Sequence, residues 1–156
     1  MSHNLVGLVG RPETLARFAD LWPEPLPTAL QQGFVLIGLD EDRLDSLAIS
    51  AAPSIAGFVY LHAELAQAIA VLGGAEPWLY FETRYSGGIG QQSAALFRAG
   101  AVQWQRSSGE VETRDSSRQG PISAGLAELG VKAGLLGDEF ASVGLGKFRR
   151  FDDLGF

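Results

Sequence analysis

The stretch Tyr80-Phe-Glu-Thr-Arg-Tyr-Ser-Gly-Gly-Ile-Gly-Gln-Gln-Ser93 decides how the middle of this chain folds. It begins as an aromatic strand, is interrupted by three glycines, and then resumes as a strand. Glycine adopts left-handed dihedral angles and allows close backbone approach because it has no Cβ atom. The pattern predicts two strands joined by a shaped, polar turn, and we expect a ligand or partner to bind there.

The chain around this turn is rich in strands. Three are predicted, over Trp78 to Tyr85, Ser93 to Arg98 and Ala101 to Gln105. The connection Arg98-Ala-Gly-Ala101 has the length and the glycine of a tight hairpin, so the strands should run antiparallel as a meander. A weaker strand is predicted over Val111 to Arg114, followed by an exposed polar segment over Asp115 to Gly120.

The first half of the chain alternates strands with helices. A strand is predicted over Asn4 to Val9, and a strand buried on both faces over the apolar run Phe34 to Leu39. Between them, Pro12 suits the first turn of a helix. Asp40 is placed to cap a short helix. A longer helix is predicted over Ser54 to Leu72, with one apolar face made of Phe58, Leu61, Leu65, Ile69 and Leu72.

The end of the chain is predicted to be helical. Pro121 starts a helix that Gly130 ends, with Val131 touching Leu126 in a Schellman-type ending. Asp138 caps a last short helix. No shift in composition marks a second domain. We therefore expect one compact α+β domain over residues 1–156, with a central antiparallel meander and flanking helices.

The composition excludes several classes of function. The net charge is −6 and the pI is near 4.8, whereas nucleic-acid binding depends on clustered Lys and Arg. Without cysteine the chain has no disulfide, thiol nucleophile or thiolate metal site. No signal peptide is visible and no apolar stretch is long enough to span a membrane. We expect a cytoplasmic protein that binds neither nucleic acid nor membrane.

The glycine turn supplies the candidate ligand- or partner-binding residues: Glu82, Arg84, Tyr85, Gly87, Gly88, Gly90, Gln91 and Gln92. One interpretation is a polar pocket floor to which the two glutamines contribute amide contacts. The other is a glycine-rich connection between core strands, with Glu82 and Arg84 as an ion pair at the edge of the core. The turn is not a phosphate-binding loop, because no Gly-Lys-Ser/Thr follows and the next element is a strand.

Groups for catalysis are sparse. Nucleophilic catalysis needs a hydroxyl or thiol beside a general base, commonly a histidine. The two histidines are His3, expected in a mobile terminus, and His62, expected inside the long helix. Neither has a second ligand at helical spacing, so we predict no metal site and no cofactor. The acidic pairs that begin at Asp40 and Asp138 fit helix N-termini, which favour negative charge.

Two segments carry a resemblance to a known group of proteins. They are Glu82-Thr-Arg-Tyr-Ser-Gly-Gly-Ile-Gly-Gln-Gln-Ser-Ala94 and Asp138-Glu-Phe-Ala-Ser-Val-Gly-Leu-Gly146, the latter followed by Arg149. They resemble the Gly-Gly-x-Gly-x-Gln segment and the Asp-Glu-Phe…Gly-Leu-Gly tail of small, uncharacterised bacterial proteins. Some of these are similar to immunity proteins, which neutralise toxins delivered between bacterial cells. The resemblance implies a binding protein and no catalytic residue.

Two hypotheses follow from the sequence. The first is a non-enzymatic protein-binding domain, an acidic immunity-type inhibitor that occludes the basic active site of a toxin. The alternative is a small-ligand binder or hydrolase that uses the glycine loop over residues 86–90. In that alternative Glu82 acts as a base and Arg84 holds an anion. The oligomeric state stays open, because apolar edge strands are either covered or paired across a dimer.

Overall fold

The computed structural model describes residues 2–49, 53–87, 89–108, 111–112, 120–135 and 137–156. These residues contain the strands β1 Ser2–Gly10, β2 Thr28–Ala29, β3 Val35–Gly38, β4 Trp78–Ser86, β5 Ile89–Arg98, β6 Ala101–Ser107 and β7 Val111–Glu112. They also contain the helices α1 Ala16–Leu21, α2 Glu41–Leu47, α3 Ala63–Ala70, α4 Pro121–Leu129 and α5 Glu139–Val143. The strands form one antiparallel sheet with helices packed on it, which confirms the predicted α+β class.

The predicted meander forms one half of the sheet. The strand order is β2-β3-β1-β4-β5-β6, and β7 pairs with the beginning of β5. Ala99 and Gly100, which join β5 to β6, have φ angles of 50° and 81°. Such left-handed dihedrals match a two-residue turn to the twist of its strands. Gly87, with φ of 61°, begins the connection from β4 to β5.

Strand β1 lies inside the sheet, although it comes first in the chain. It pairs with β4 from Ser2 to Val9, but with β3 only from Gly7 to Gly10. The C-terminal segment lies along the part of β1 that β3 does not reach, where the Asn4 N–H donates to the Arg149 carbonyl at 2.7 Å. The beginning of β1 therefore has main-chain partners on both sides.

The sheet is covered on both faces, because alternate strand residues point to opposite sides. The face covered by α1, α2 and α3, here called the α3 face, carries Leu8, Ile37, Trp78, Tyr80 and Phe97. The face covered by α4 and α5, here called the α4 face, carries Leu5, Leu36, Leu79, Phe81 and Leu96. The predicted two-sided burial of Phe34 to Leu39 is confirmed, since its residues contribute to both clusters.

The predicted helix over Ser54 to Leu72 is wrong in its first half. Helix α3 spans Ala63–Ala70, and His62 is its N-cap, with Nδ1 accepting the Leu65 N–H at 3.2 Å. Gly57 has a φ of 88°, which turns the preceding segment away from helical geometry. The apolar face was identified correctly all the same, because Phe58, Leu61, Leu65 and Ile69 are buried.

The predicted helix boundaries are otherwise close to those in the structure. Asp40 caps α2 and Asp138 caps α5, each by accepting a main-chain N–H at 3.0 Å. Gly130 ends α4 in the left-handed conformation, and the Val131 N–H donates to the Leu126 carbonyl, as the Schellman ending requires. Pro12, however, lies in a turn before α1 rather than in its first turn.

None of the helices described in the structure is both long and apolar enough to cross a bilayer. In the predicted fourth strand, the structure confirms pairing for Val111 and Glu112, while residues 113–114 lie outside the described residues. The polar segment over residues 115–119 also lies outside them.

Candidate functional site

The β4–β5 hairpin distributes the predicted binding residues over both faces of the sheet. Arg84 and Gln91 are cross-strand partners on the α3 face, which Glu82 shares. Tyr85 and Gln92 contact each other on the α4 face. The two glutamines therefore do not contribute to one shared surface.

Glu82 binds the loop that precedes α3. Its side chain is only 4% exposed. One carboxylate oxygen accepts the Val59 N–H at 2.6 Å, and the other accepts the N–H groups of Tyr60 and Leu61 at 3.1 and 3.0 Å. The Tyr80 hydroxyl donates to the second oxygen at 2.6 Å. We call this arrangement the Glu82 cradle; it holds the loop against the sheet.

The cradle determines what Glu82 can do chemically. Its carboxylate accepts four hydrogen bonds from protein groups and forms no ion pair with Arg84, whose guanidinium bonds to Gln91 instead. Burial, and then the neighbouring Glu82 charge, raise the pKa of Tyr80 well above its usual value, so this hydroxyl stays a donor. The geometry supports a structural role for Glu82 and does not support a role as a general base.

Gln91 connects the hairpin to two neighbouring segments. Its Oε1 accepts a hydrogen bond from Arg84 Nη2 at 2.5 Å. Its Nε2 donates to Ser107 Oγ in β6 at 3.1 Å and to the Gly57 carbonyl at 3.3 Å. The loop over residues 57–61 is therefore fixed to the sheet by Gln91 as well as by Glu82.

Gln92 acts as the cap of α4 from a different element. The N-cap residue, Gly120, has no side chain, and Gln92 Oε1 accepts the Ile122 N–H at 2.9 Å in its place. Gln92 Nε2 donates to the Tyr85 hydroxyl at 2.8 Å. A Cβ atom on Gly120 would lie 2.8 Å from Gln92 Oε1, so glycine makes room for this cap.

The glycines of the turn have different structural roles. A Cβ atom on Gly90 would lie 2.0 Å from the Arg84 carbonyl oxygen, so close strand approach requires glycine there. Position 87 favours glycine because of its left-handed φ angle and not because of crowding, since an added Cβ would meet nothing within 4 Å. Gly88, also predicted as a binding residue, lies outside the described residues.

Three exposed apolar side chains lie on the β4–β5 hairpin or on the loop that Glu82 holds against it. Ile89 lies on the same face as Gln91, two residues along β5, and is 65% exposed. Val59 and Tyr60, whose main chain is held by Glu82, are 39% and 40% exposed. We call these three exposed side chains, together with that of Arg84, the hairpin face.

The histidines take structural positions. His3 lies within β1 and is buried, which corrects the expected mobile terminus. Its Nδ1 is 2.7 Å from Thr83 Oγ1 and its Nε2 is 3.2 Å from the Leu145 carbonyl oxygen. Burial lowers the pKa of His3. Within the described ranges, no three His, Asp or Glu side chains are grouped in a way that suits a metal ion.

Arg43 was not among the site residues predicted from the sequence. This arginine is 7% exposed, and it lines a cleft with the proline-rich segment after α1 and with the C-terminal residues. Burial lowers its pKa from the usual value, against the opposing effect of Asp40. No local motif signals this site, because its walls come from segments around residues 22, 38 and 156 that are distant in sequence.

The described residues thus define an α+β protein with one antiparallel sheet between two helical layers, an exposed hairpin face and a cleft at Arg43. Comparison of the chain with protein-family models, curated proteins and solved structures found no match. The resemblance of the two sequence segments to bacterial immunity-type proteins stays a prediction.

Proposed function

We propose that this chain is a non-enzymatic protein-binding domain, of the immunity type, whose hairpin face contacts a basic bacterial toxin. The observation that carries the proposal is the exposure of Val59, Tyr60 and Ile89 around one hairpin, next to Arg84. Tyr and Arg are enriched among the residues that dominate binding energy at protein interfaces.

The rigidity of the hairpin face supports this proposal. Its loop side is held by the Glu82 cradle and by the bond from Gln91 to the Gly57 carbonyl. Its strand side is held by cross-strand pairing between β4 and β5. A surface that is already ordered loses less conformational entropy on binding, so a small number of apolar contacts contributes more affinity.

The overall charge supports a basic partner. The chain carries a net charge of −6. Helix α2 adds a local concentration of negative charge, because Glu41, Asp42 and Asp45 are exposed whereas Arg43 is buried. A field of one sign accelerates encounter with a partner of the opposite sign, and salt screens the effect.

The test is co-expression with the product of the neighbouring gene, with growth rescue and co-purification as readouts. Ile89→Asp places a charge in the proposed interface, so it should abolish rescue while leaving the exposed hairpin folded. Leu135→Asp is the matched control, because Leu135 is fully exposed outside the hairpin face. Association should also slow as salt increases.

Two outcomes would overturn the proposal. One is the absence of both complex and rescue with the wild-type chain. The other is a complex that Ile89→Asp and Tyr60→Ala leave unchanged, since these residues are the proposed apolar anchors. Circular dichroism of each variant separates loss of binding from loss of folding.

A further inference from the structure

We draw no further inference here: the strongest candidate, the largely exposed outer edge of strand β6, carries a register shift that discourages pairing with another strand, and nothing in the part of the chain that the structure describes shows what covers it.

Discussion

Glu82 and Arg43 show two ways in which this protein buries a charged side chain. Both are bound by main-chain groups rather than by an ion pair: Glu82 by three N–H groups, Arg43 by three carbonyls. The Glu82 cradle is closed, because the Tyr80 hydroxyl completes it inside the core. The Arg43 site borders an open cleft. A closed arrangement fixes a loop, whereas the open one leaves part of the surroundings of the arginine in contact with solvent.

The largest expected effect tests the closed arrangement. Glu82→Gln should lower the free energy of unfolding by about 3 kcal/mol. The amide NH₂ of the glutamine would face main-chain N–H donors of the loop, so at least one buried N–H would lose its acceptor. Urea denaturation measures the change. Glu64→Gln is the control, since Glu64 is exposed in the first turn of α3. Equal stability of Glu82→Gln and wild type would show that the cradle does not hold the loop.

The next prediction tests whether the open Arg43 site loses less stability than the closed Glu82 cradle when its charged side chain is replaced. Arg43→Met keeps an apolar stem, and water can reach the freed carbonyls through the cleft. We expect a loss of about 1.5 kcal/mol in the free energy of unfolding, roughly half that for Glu82→Gln. The same urea measurement applies. A larger loss for Arg43→Met than for Glu82→Gln would reverse the comparison.

A neutral acceptor sharpens the comparison further. Gln92 accepts a main-chain N–H at the N-terminus of α4 through an uncharged amide oxygen. Glu82, by contrast, accepts the N–H groups of a loop through a charged carboxylate. Gln92→Ala should cost about 1 kcal/mol, the usual value for removing a helix cap. Thermal unfolding checks it against Gln103→Ala, an exposed glutamine in β6. A loss as large as that of Glu82→Gln would mean that charge adds nothing to such contacts.

The smallest effect concerns His3, which is buried in its neutral form. Its folded pKa lies below 6.5, so the unfolded state takes up the proton first, and stability should fall as the pH drops below 6.5. Arg149 adds to this shift, while Asp153 and the Leu145 carbonyl oppose it. Urea midpoints on both sides of that pH measure the slope. His3→Gln should flatten it; an identical slope would assign the titration to other groups.

Local patterns in the sequence were sufficient for much of the fold. The strand over Trp78 to Tyr85, the Ala99-Gly100 turn and the caps Asp40 and Asp138 were predicted from signals within a few residues, and the structure confirms each of them. The helix predicted over Ser54 to Leu72 was wrong because its first half is held by Glu82, which is distant in sequence. Helical spacing of apolar residues does not show that a distant carboxylate accepts the main-chain N–H groups that a helix would otherwise use.

The candidate site was less predictable for the same reason. The sequence identified Glu82, Gln91 and Gln92 as unusual polar residues in an apolar hairpin, but their partners are Leu61, Gly57 and Ile122. Those contacts depend on which loop or helix crosses each face of the sheet. The Arg43 cleft gave no sequence signal, because its aromatic walls come from opposite ends of the chain.

The position of β1 has a consequence for the protein during its synthesis. This strand leaves the ribosome well before its long partner β4, which follows only after α1, α2 and α3. Its Leu5, Leu8 and Val9 side chains are therefore only partly covered until β4 has been translated. Pairings so distant in sequence fold slowly. We expect nascent chains that stop before β4 to depend on chaperones, and released full-length chains to depend on them far less.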